Sequence, residues 1–435
     1  MLDIHFIREN VDRVRAAAQA KRVTVDIDGI LRLDTEARAI QTQIGEVNRQ
    51  RNELAKQATD GKPSPEVIEA GKRMKEEVAA LEARHEAIVQ ELTPLLHAVP
   101  NVPAEDVPVG PDESGNVVMR TWGTPAAFPF EPKDHIELGE SLGIIDTERA
   151  AKVTGARFAY LKGDGALLEF AIVQYVMQLL TSPEEMQRLA ASTGPDVSAK
   201  PFVPVVPPVM IRPETFTRMA RLSPEDKDER YYIPSDDLYL VGSAEHTLGS
   251  LHMDEIIEEK DMPVRYIGFS TSFRREAGSY GKDTKGILRV HQFDKLEMES
   301  FTAPEHSRAE QDFIVAIQEK LLQGLELPYQ VVAVCTGDMG KPDARQIDIE
   351  TWIPTQGKYR ETHTADLMTD YQTRRLNTKI RRADGSLVLA HTNDATAFAI
   401  GRILIAIIEN YQTESGTVRI PAVLQPFMGG KKEIV

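Results

Sequence analysis

Apolar residues fall every three or four positions along much of the first hundred residues. Ile30, Leu33, Ala37, Ile40, Ile44, Val47, Arg51 and Leu54 are spaced 3-4-3-4-3-4-3, and Val67, Gly71, Met74, Val78, Leu81, His85, Ile88, Leu92 and Leu95 continue the alternation. Two such heptad seams predict two long helices packed on each other. Between them, Ala58-Thr-Asp-Gly-Lys-Pro-Ser-Pro65 has the chemistry to stop one helix and start the next. So short a connection requires antiparallel helices, an arm over residues 28–97. Helices of roughly 30 residues, at about 1.5 Å each, make the arm about 45 Å long. Arg51 and Gly71 occupy seam positions near the tip, so the seam weakens there.

Val99-Pro-Asn-Val-Pro-Ala-Glu-Asp-Val-Pro-Val-Gly-Pro111 carries four prolines in thirteen residues and supports neither a helix nor a central strand. It divides an N-terminal domain over residues 1–110 from a larger one over 111–435. The second part alternates. Residues 166–180 and 307–325 predict helices, as do 395–412. Residues 202–210 predict an extended segment broken by prolines. Strands are predicted over 239–240, 264–273, 286–292, 329–334 and 344–352. Short connections between neighbouring strands favour an antiparallel or mixed sheet over a doubly wound one.

Composition narrows the function. With 41% hydrophobic and 27% charged residues, 435 residues supply ample core. One cysteine, Cys335, excludes a disulfide framework and a thiolate zinc site, and it fits a reducing, cytoplasmic setting. Residues 1–10 show no apolar signal core, and no apolar run reaches the roughly 18 residues that span a membrane. The net charge of −16 argues against binding nucleic acid through a global basic field. Charge is uneven, however: residues 49–84 hold eight Lys/Arg against seven Asp/Glu, and residues 265–295 hold seven against three. An acidic body with basic parts suits a protein that holds a polyanion at chosen places.

Three segments carry candidate chemistry. In the first, two β-like runs flank a glycine-rich loop, Gly278 to Gly286, with Lys282 and Lys285. Arg274 and Glu276, two apart, share one strand face. A surface hairpin with an ion pair explains them as well as a nucleotide site does, with Arg274 on phosphate, Glu276 on an exocyclic amine and Phe293 as a stacking platform. In the second, Thr392, Asn393 and Asp394 are candidate N-caps of an apolar helix holding Arg402. A guanidinium there requires an anion, either a core carboxylate or a phosphate. Gly401 beside it permits close approach. In the third, Glu361 and Thr364 offer hard oxygens for Mg²⁺ near phosphates, though a solvated loop satisfies the same pattern. Glu245, His246 and His252 have poor metal spacing.

These segments, in this order behind an antiparallel coiled-coil arm, resemble seryl-tRNA synthetase, a class II aminoacyl-tRNA synthetase, over nearly the whole chain. Pro207-Pro208 resembles motif 1. Phe273-Arg-Arg-Glu276 with Arg289-Val-His-Gln-Phe-Asp-Lys-Leu-Glu297 resembles motif 2, and Ala399-Ile-Gly-Arg402 with Ile408-Glu-Asn-Tyr-Gln412 resembles motif 3. Ser243-Ala-Glu245 corresponds to the family's Thr-Ala-Glu triplet. Residues 136–143 and 161–165 also follow the family's pattern. Ser243 stands where Thr is typical and Asp394 where Asn is common, and Thr362-His363-Thr364 replaces a serine-rich segment.

The resemblance implies an α+β fold, an antiparallel β-sheet flanked by helices, in a cytoplasmic homodimer with no membrane association. It implies a ligase that activates L-serine with ATP and Mg²⁺ and loads tRNA(Ser), together with tRNA(Sec) where that tRNA exists. The implied ATP site comprises Arg274, Arg275, Glu276, Val290, Phe293, Glu361, Thr362, His363, Thr364 and Arg402, with Arg274 and Arg402 catalytic and Glu361 and Thr364 on the metal. The implied serine site comprises Ser243, Ala244, Glu245, Arg274, Glu297 and Thr396, with Thr396 facing the substrate hydroxyl. The arm would read the tRNA's long variable arm and elbow through backbone contacts. Two other readings stand beside this one: a paralogue that loads a carrier protein, and a non-catalytic relative that keeps the fold.

Overall fold

The computed structural model describes residues 1–57, 64–223, 226–277 and 286–435. The connection over 58–63 and the loop lysines Lys282 and Lys285 lie outside the described residues. The chain forms two compact units, Met1–Val102 and Pro103–Val435.

In the first unit, α1 (Ile27–Gln57) pairs with α2 (Pro65–Ala98). Ile30, Leu33, Ala37, Ile40, Ile44 and Val47 are all buried, against Val78, Ile88 and Leu92. Arg51, Leu54, Gly71 and Met74 are half-buried, so the seam loosens where its apolar residues give out. Ser64 accepts a hydrogen bond from the Val67 N–H and Pro65 opens α2, a favourable N-terminus. Two helices that the heptads did not announce, Ile4–Glu9 and Val11–Ala20, precede the arm.

The second unit is built on an eight-stranded sheet. Its strands are β1 (Val117–Trp122), β2 (Val203–Val205), β3 (Val264–Phe273), β4 (Gln292–Thr302), β5 (Tyr329–Ala333), β6 (Arg345–Ile353), β7 (Lys358–Thr369) and β8 (His391–Ala399). They lie in the order β1-β5-β6-β7-β8-β4-β3-β2, and all neighbours are antiparallel except β2 and β3. Three helices, α3 (Asp164–Thr181), α4 (Ser307–Gly324) and α5 (Ile400–Asn410), supply apolar side chains to one core with the sheet. Leu296, Met298, Ile347, Ile349, Ala365 and Ala395 face that core with Phe313 and Ile317 of α4 and Ile403 and Ile407 of α5. The alternate residues Lys295, Glu297 and Glu299 of β4, Thr364 and Asp366 of β7, and Asp394 and Thr396 of β8 take the opposite face, as the period of two requires.

Three expectations need correcting. The helix expected over 395–412 begins only at Ile400, and Thr392, Asn393 and Asp394 sit within β8 rather than capping it. That segment is hydrogen-bonded on both sides, to β4 and to β7, and two ladders outweigh an N-cap worth about 1 kcal/mol. Residues 361–366, which satisfied a loop pattern, lie in β7. Residues 286–291 form turns, and β4 starts at Gln292. Among the described residues no single helix is long and apolar enough to cross a membrane.

A buried ion pair ties α4 to β3. Arg265 donates from Nε and Nη2 to the two Glu310 carboxylate oxygens, both at 2.6 Å, and from Nη1 to the Ser198 and Lys200 carbonyls. Ser300 Oγ donates to the same carboxylate at 2.6 Å. Removing one partner strands a buried charge. Glu310→Ala is therefore expected to cost about 3–5 kcal/mol in urea unfolding, and a loss below about 1 kcal/mol would contradict this role.

Candidate active site

Arg274 follows the last residue of β3, and Phe293 lies one pair further along on β4, opposite Ser272. The Arg274 guanidinium carbon stands 5.3 Å from the Phe293 ring centre, and its Nε donates to the Gly242 carbonyl at 3.1 Å. Arg402 lies in the first turn of α5. Its Nη1 donates to the Glu361 carbonyl at 2.9 Å and to Glu361 Oε1 at 2.7 Å. Both arginines line one cavity of about 170 Å³, together with Glu276, Val290, Phe293, Glu361, Thr362, Thr364 and Thr396. Arg402 is thus not buried mid-helix; its side chain keeps 27% of its exposure and its partner carboxylate 46%. The close approach that Gly401 permits is made by the chain itself: a Cβ there would lie 2.9 Å from the Ile287 carbonyl.

Two bulges aim these residues. In the β6–β7 pair, Ile349 faces His363 while the next residue, Glu350, faces Glu361, which leaves Thr362 unpaired in the register. The extra residue reverses the alternation, so Glu361 and Thr364, three apart, reach the same face and His363 turns to the core. In the β4–β8 pair, Ala397 is the extra residue, so Thr396 and Ala399 both line the cavity.

Electrostatics follows from the convergence. Burial and the neighbouring Arg402 lower the pKa of Arg274. Burial alone would raise Glu361, but Arg402, Arg274 and Lys295 together hold its carboxyl below the usual range. Glu361 in turn raises Arg402. The result is a polar slot with two permanent cations and an aromatic face, suited to a nucleotide polyphosphate. Glu276, in a left-handed conformation at φ +52°, lies 3.3 Å from Arg289 through its carboxylate.

A second cavity of about 630 Å³ shares Arg274, Glu276, Lys295 and Thr364 with the first and continues to Arg221, Arg230, Glu245, Glu297, Asp366 and Asp394. Ser243 Oγ donates to Glu297 Oε2 at 3.0 Å and accepts the Glu245 backbone N–H at 3.2 Å, so it braces the Glu297 carboxylate and fixes the backbone that carries Glu245. Lys295 forms a short ion pair with Glu297. Arg221 Nε donates to Glu245 Oε1 at 2.5 Å, and its Nη2 reaches Asp394 Oδ2 at 3.4 Å. The Thr364 and Thr396 hydroxyls are 3.4 Å apart. Glu245 and Glu297 offer this cavity carboxylates for an ammonium, and Arg274 and Thr364 stand at its junction with the first cavity.

Residues 1–103 match the seryl-tRNA synthetase N-terminal domain and residues 230–411 the class II tRNA synthetase core domain shared by the G, H, P, S and T enzymes. The serine–tRNA ligase of Coprothermobacter proteolyticus is 40% identical over 433 residues, 98% of this chain and 100% of that protein. The chain belongs to the seryl-tRNA synthetase family. The Pyrococcus horikoshii seryl-tRNA synthetase complexed with ATP has a TM-score of 0.88 at 37% identity, covering 100% of this chain and 99% of the other. The cytoplasmic serine–tRNA ligase of Naegleria fowleri in complex with AMP has a TM-score of 0.85 at 29% identity, covering 100% and 98%.

Against the residues expected from the seryl-tRNA synthetase resemblance, the geometry separates those in the cleft from those outside it. Arg274, Glu276, Val290, Phe293, Glu361, Thr362, Thr364, Thr396 and Arg402 line the first cavity, and Glu245 and Glu297 the second. Ser243 and Ala244 are buried behind the second cavity, with Ala244 preceding the short helix Glu245–Leu248. Arg275 is exposed, 5.8 Å from the Tyr231 ring, and lines neither cavity. His363 is in the core: its Nδ1 is 2.8 Å from Thr362 Oγ1 and its ring packs edge-on against Phe398. Arg221, Arg230 and Lys295 are cleft residues that the motifs did not single out. Lys295 had a signal, since Lys295, Glu297 and Glu299 form a polar stripe of period two. Arg221 had none, because it lies outside the expected strands.

Burial pushes the His363 imidazole down to about 3. The unfolded chain takes up a proton near the ordinary value of about 6.5, whereas the folded chain does not. This residue's contribution to stability is therefore full above that value and falls away as pH drops toward 3. His363→Phe should flatten the dependence of unfolding free energy on pH between about 6 and 4 by close to one proton; an unchanged slope would contradict a neutral core imidazole.

Proposed function

We propose that this chain is a serine–tRNA ligase that activates L-serine with ATP and transfers the seryl group to tRNA(Ser). The observation that carries this is the convergence of Arg274 and Arg402 on one slot beside a carboxylate-lined pocket. In this reading Arg274 grips the α-phosphate and the serine carboxylate. Phe293 and Arg402 sandwich the adenine, Glu276 accepts from its amino group, and Val290 lines its edge. Glu297 and Glu245 receive the serine ammonium, Ser243 braces Glu297, and Thr396 faces the hydroxyl. The serine carboxylate oxygen attacks the α-phosphorus, forming the seryl-adenylate while pyrophosphate leaves. A terminal tRNA hydroxyl then attacks the carbonyl and AMP leaves. Such transfer needs positioning and charge neutralisation rather than a side-chain nucleophile. A hydroxyl partner for serine disfavours alanine, which would leave it unpaired.

Among the described residues no three acidic, histidine or cysteine groups form a metal cluster. Mg²⁺ at a nucleotide takes few protein ligands and completes its shell with phosphate oxygens and water. Glu361, engaged by Arg402 through Oε1, and Thr364 would hold it, and when bound it would neutralise polyphosphate charge. The arm would contact tRNA(Ser), as its near-neutral, interspersed charge suits a polyanion held at chosen points. Exposed Val203, Val206 and Met210 around Pro207-Pro208, with exposed Leu167 and Phe170, support a homodimer. The reading places the protein in the cytoplasm.

Arg402→Ala tests the assignment. Serine-dependent ATP–pyrophosphate exchange should fall by at least about 10²-fold, with thermal unfolding nearly unchanged because the side chain is partly solvated. Wild-type-like exchange in the variant, or its loss through unfolding, would return Arg402 to a structural role.

A further inference from the structure

Three carboxylates stand in a row across the cleft floor. Glu299 of β4 is in register with Asp394 of β8, and Asp394 with Asp366 of β7. All three are more than nine-tenths buried. Directly opposed like charges repel across strands. Both Glu299 oxygens and one oxygen each of Asp394 and Asp366 lack a hydrogen-bond partner. Burial and the neighbouring acids push all three carboxyls well above the usual range.

Glu245 adjoins this row, and Glu297 lies one step along β4 from Glu299, so a carboxylate here is crowded by others. One side chain bridges Glu245 to the row. Arg221 donates from Nε to Glu245 and reaches Asp394 with Nη2, using two nitrogens of its guanidinium. Gln372 Nε2 adds only a 3.4 Å contact to Glu245. Arg221 keeps 19% of its side-chain exposure, on the cavity that Glu245 and Glu297 line.

We infer that Arg221 is a positioning residue for the amino-acid pocket: by spanning Glu245 and Asp394, it fixes the Glu245 carboxylate where the substrate ammonium arrives and so sets the affinity for the amino acid. This rests on Glu245 serving serine, as proposed above. A lysine keeps the charge but is a single point, so it cannot span both acids.

The test is ATP–pyrophosphate exchange on the full-length protein. Arg221→Lys should raise the serine KM by about tenfold or more, with kcat and the ATP KM changed by no more than about twofold. A second variant separates positioning from charge. Arg221→Met removes the span altogether and leaves Glu245 without its guanidinium, so the serine KM should rise at least as far as in Arg221→Lys while the melting temperature falls; Arg221→Lys, which keeps the charge, should melt close to the wild type. An unchanged serine KM in Arg221→Lys, a serine KM in Arg221→Met below that of Arg221→Lys, or an equal loss in kcat and both KM values would overturn the inference. Wild-type protein without serine-dependent exchange would instead overturn the reading on which it rests.

Discussion

The two-sidedness of the antiparallel sheet governs everything else in the second unit. A strand sends alternate side chains to opposite faces, so Leu296 and Met298 enter the helix-covered core while Lys295, Glu297 and Glu299 enter the cleft. The core face supplies the hydrophobic burial. The cleft face collects groups that no core would tolerate unpaired. Strand register and the bulges at Thr362 and Ala397 place the cleft carboxylates, while the guanidiniums of Arg274, Arg402 and Arg221 enter from the end of β3, the first turn of α5 and a loop. Rigid strands thereby aim the chemistry, which is more exacting than loops alone could be.

Comparison of two arginines shows how one ion-pair chemistry serves structure and function. Arg265 is fully buried, bidentate to Glu310 and bonded to two carbonyls. Its partner cannot leave without stranding a charge. Arg402 meets Glu361 through one nitrogen at a partly exposed site, where an ion pair contributes about 1 kcal/mol or less. In the proposed function this guanidinium lies against the adenine, and so weak a pair costs a ligand little to displace.

The sequence was most legible where one periodicity acted alone. The heptads named the arm's seam residue by residue, and the run over 264–273 coincided with β3. Legibility failed where tertiary pairing overrode local preference. Thr392, Asn393 and Asp394 are good caps in isolation, yet a strand on either side recruits them into β8. His363 sits between two cleft residues in the motif, and only the bulge at Thr362 turns it inward. Arg275 shares the motif with Arg274, but the chain leaves the strand there and sends it to Tyr231. Arg221 was invisible because its meaning depends on Glu245 and Asp394, which lie far along the chain and meet it only in the fold.

In the proposed function, the polyphosphate slot and the carboxylate-lined pocket meet at Arg274 and act as one site for ATP and serine. ATP–pyrophosphate exchange with serine, threonine, alanine and cysteine offered one at a time tests it most directly. Exchange should be robust with serine and at most weak with the other three. Exchange driven best by another amino acid, or by none, would contradict it.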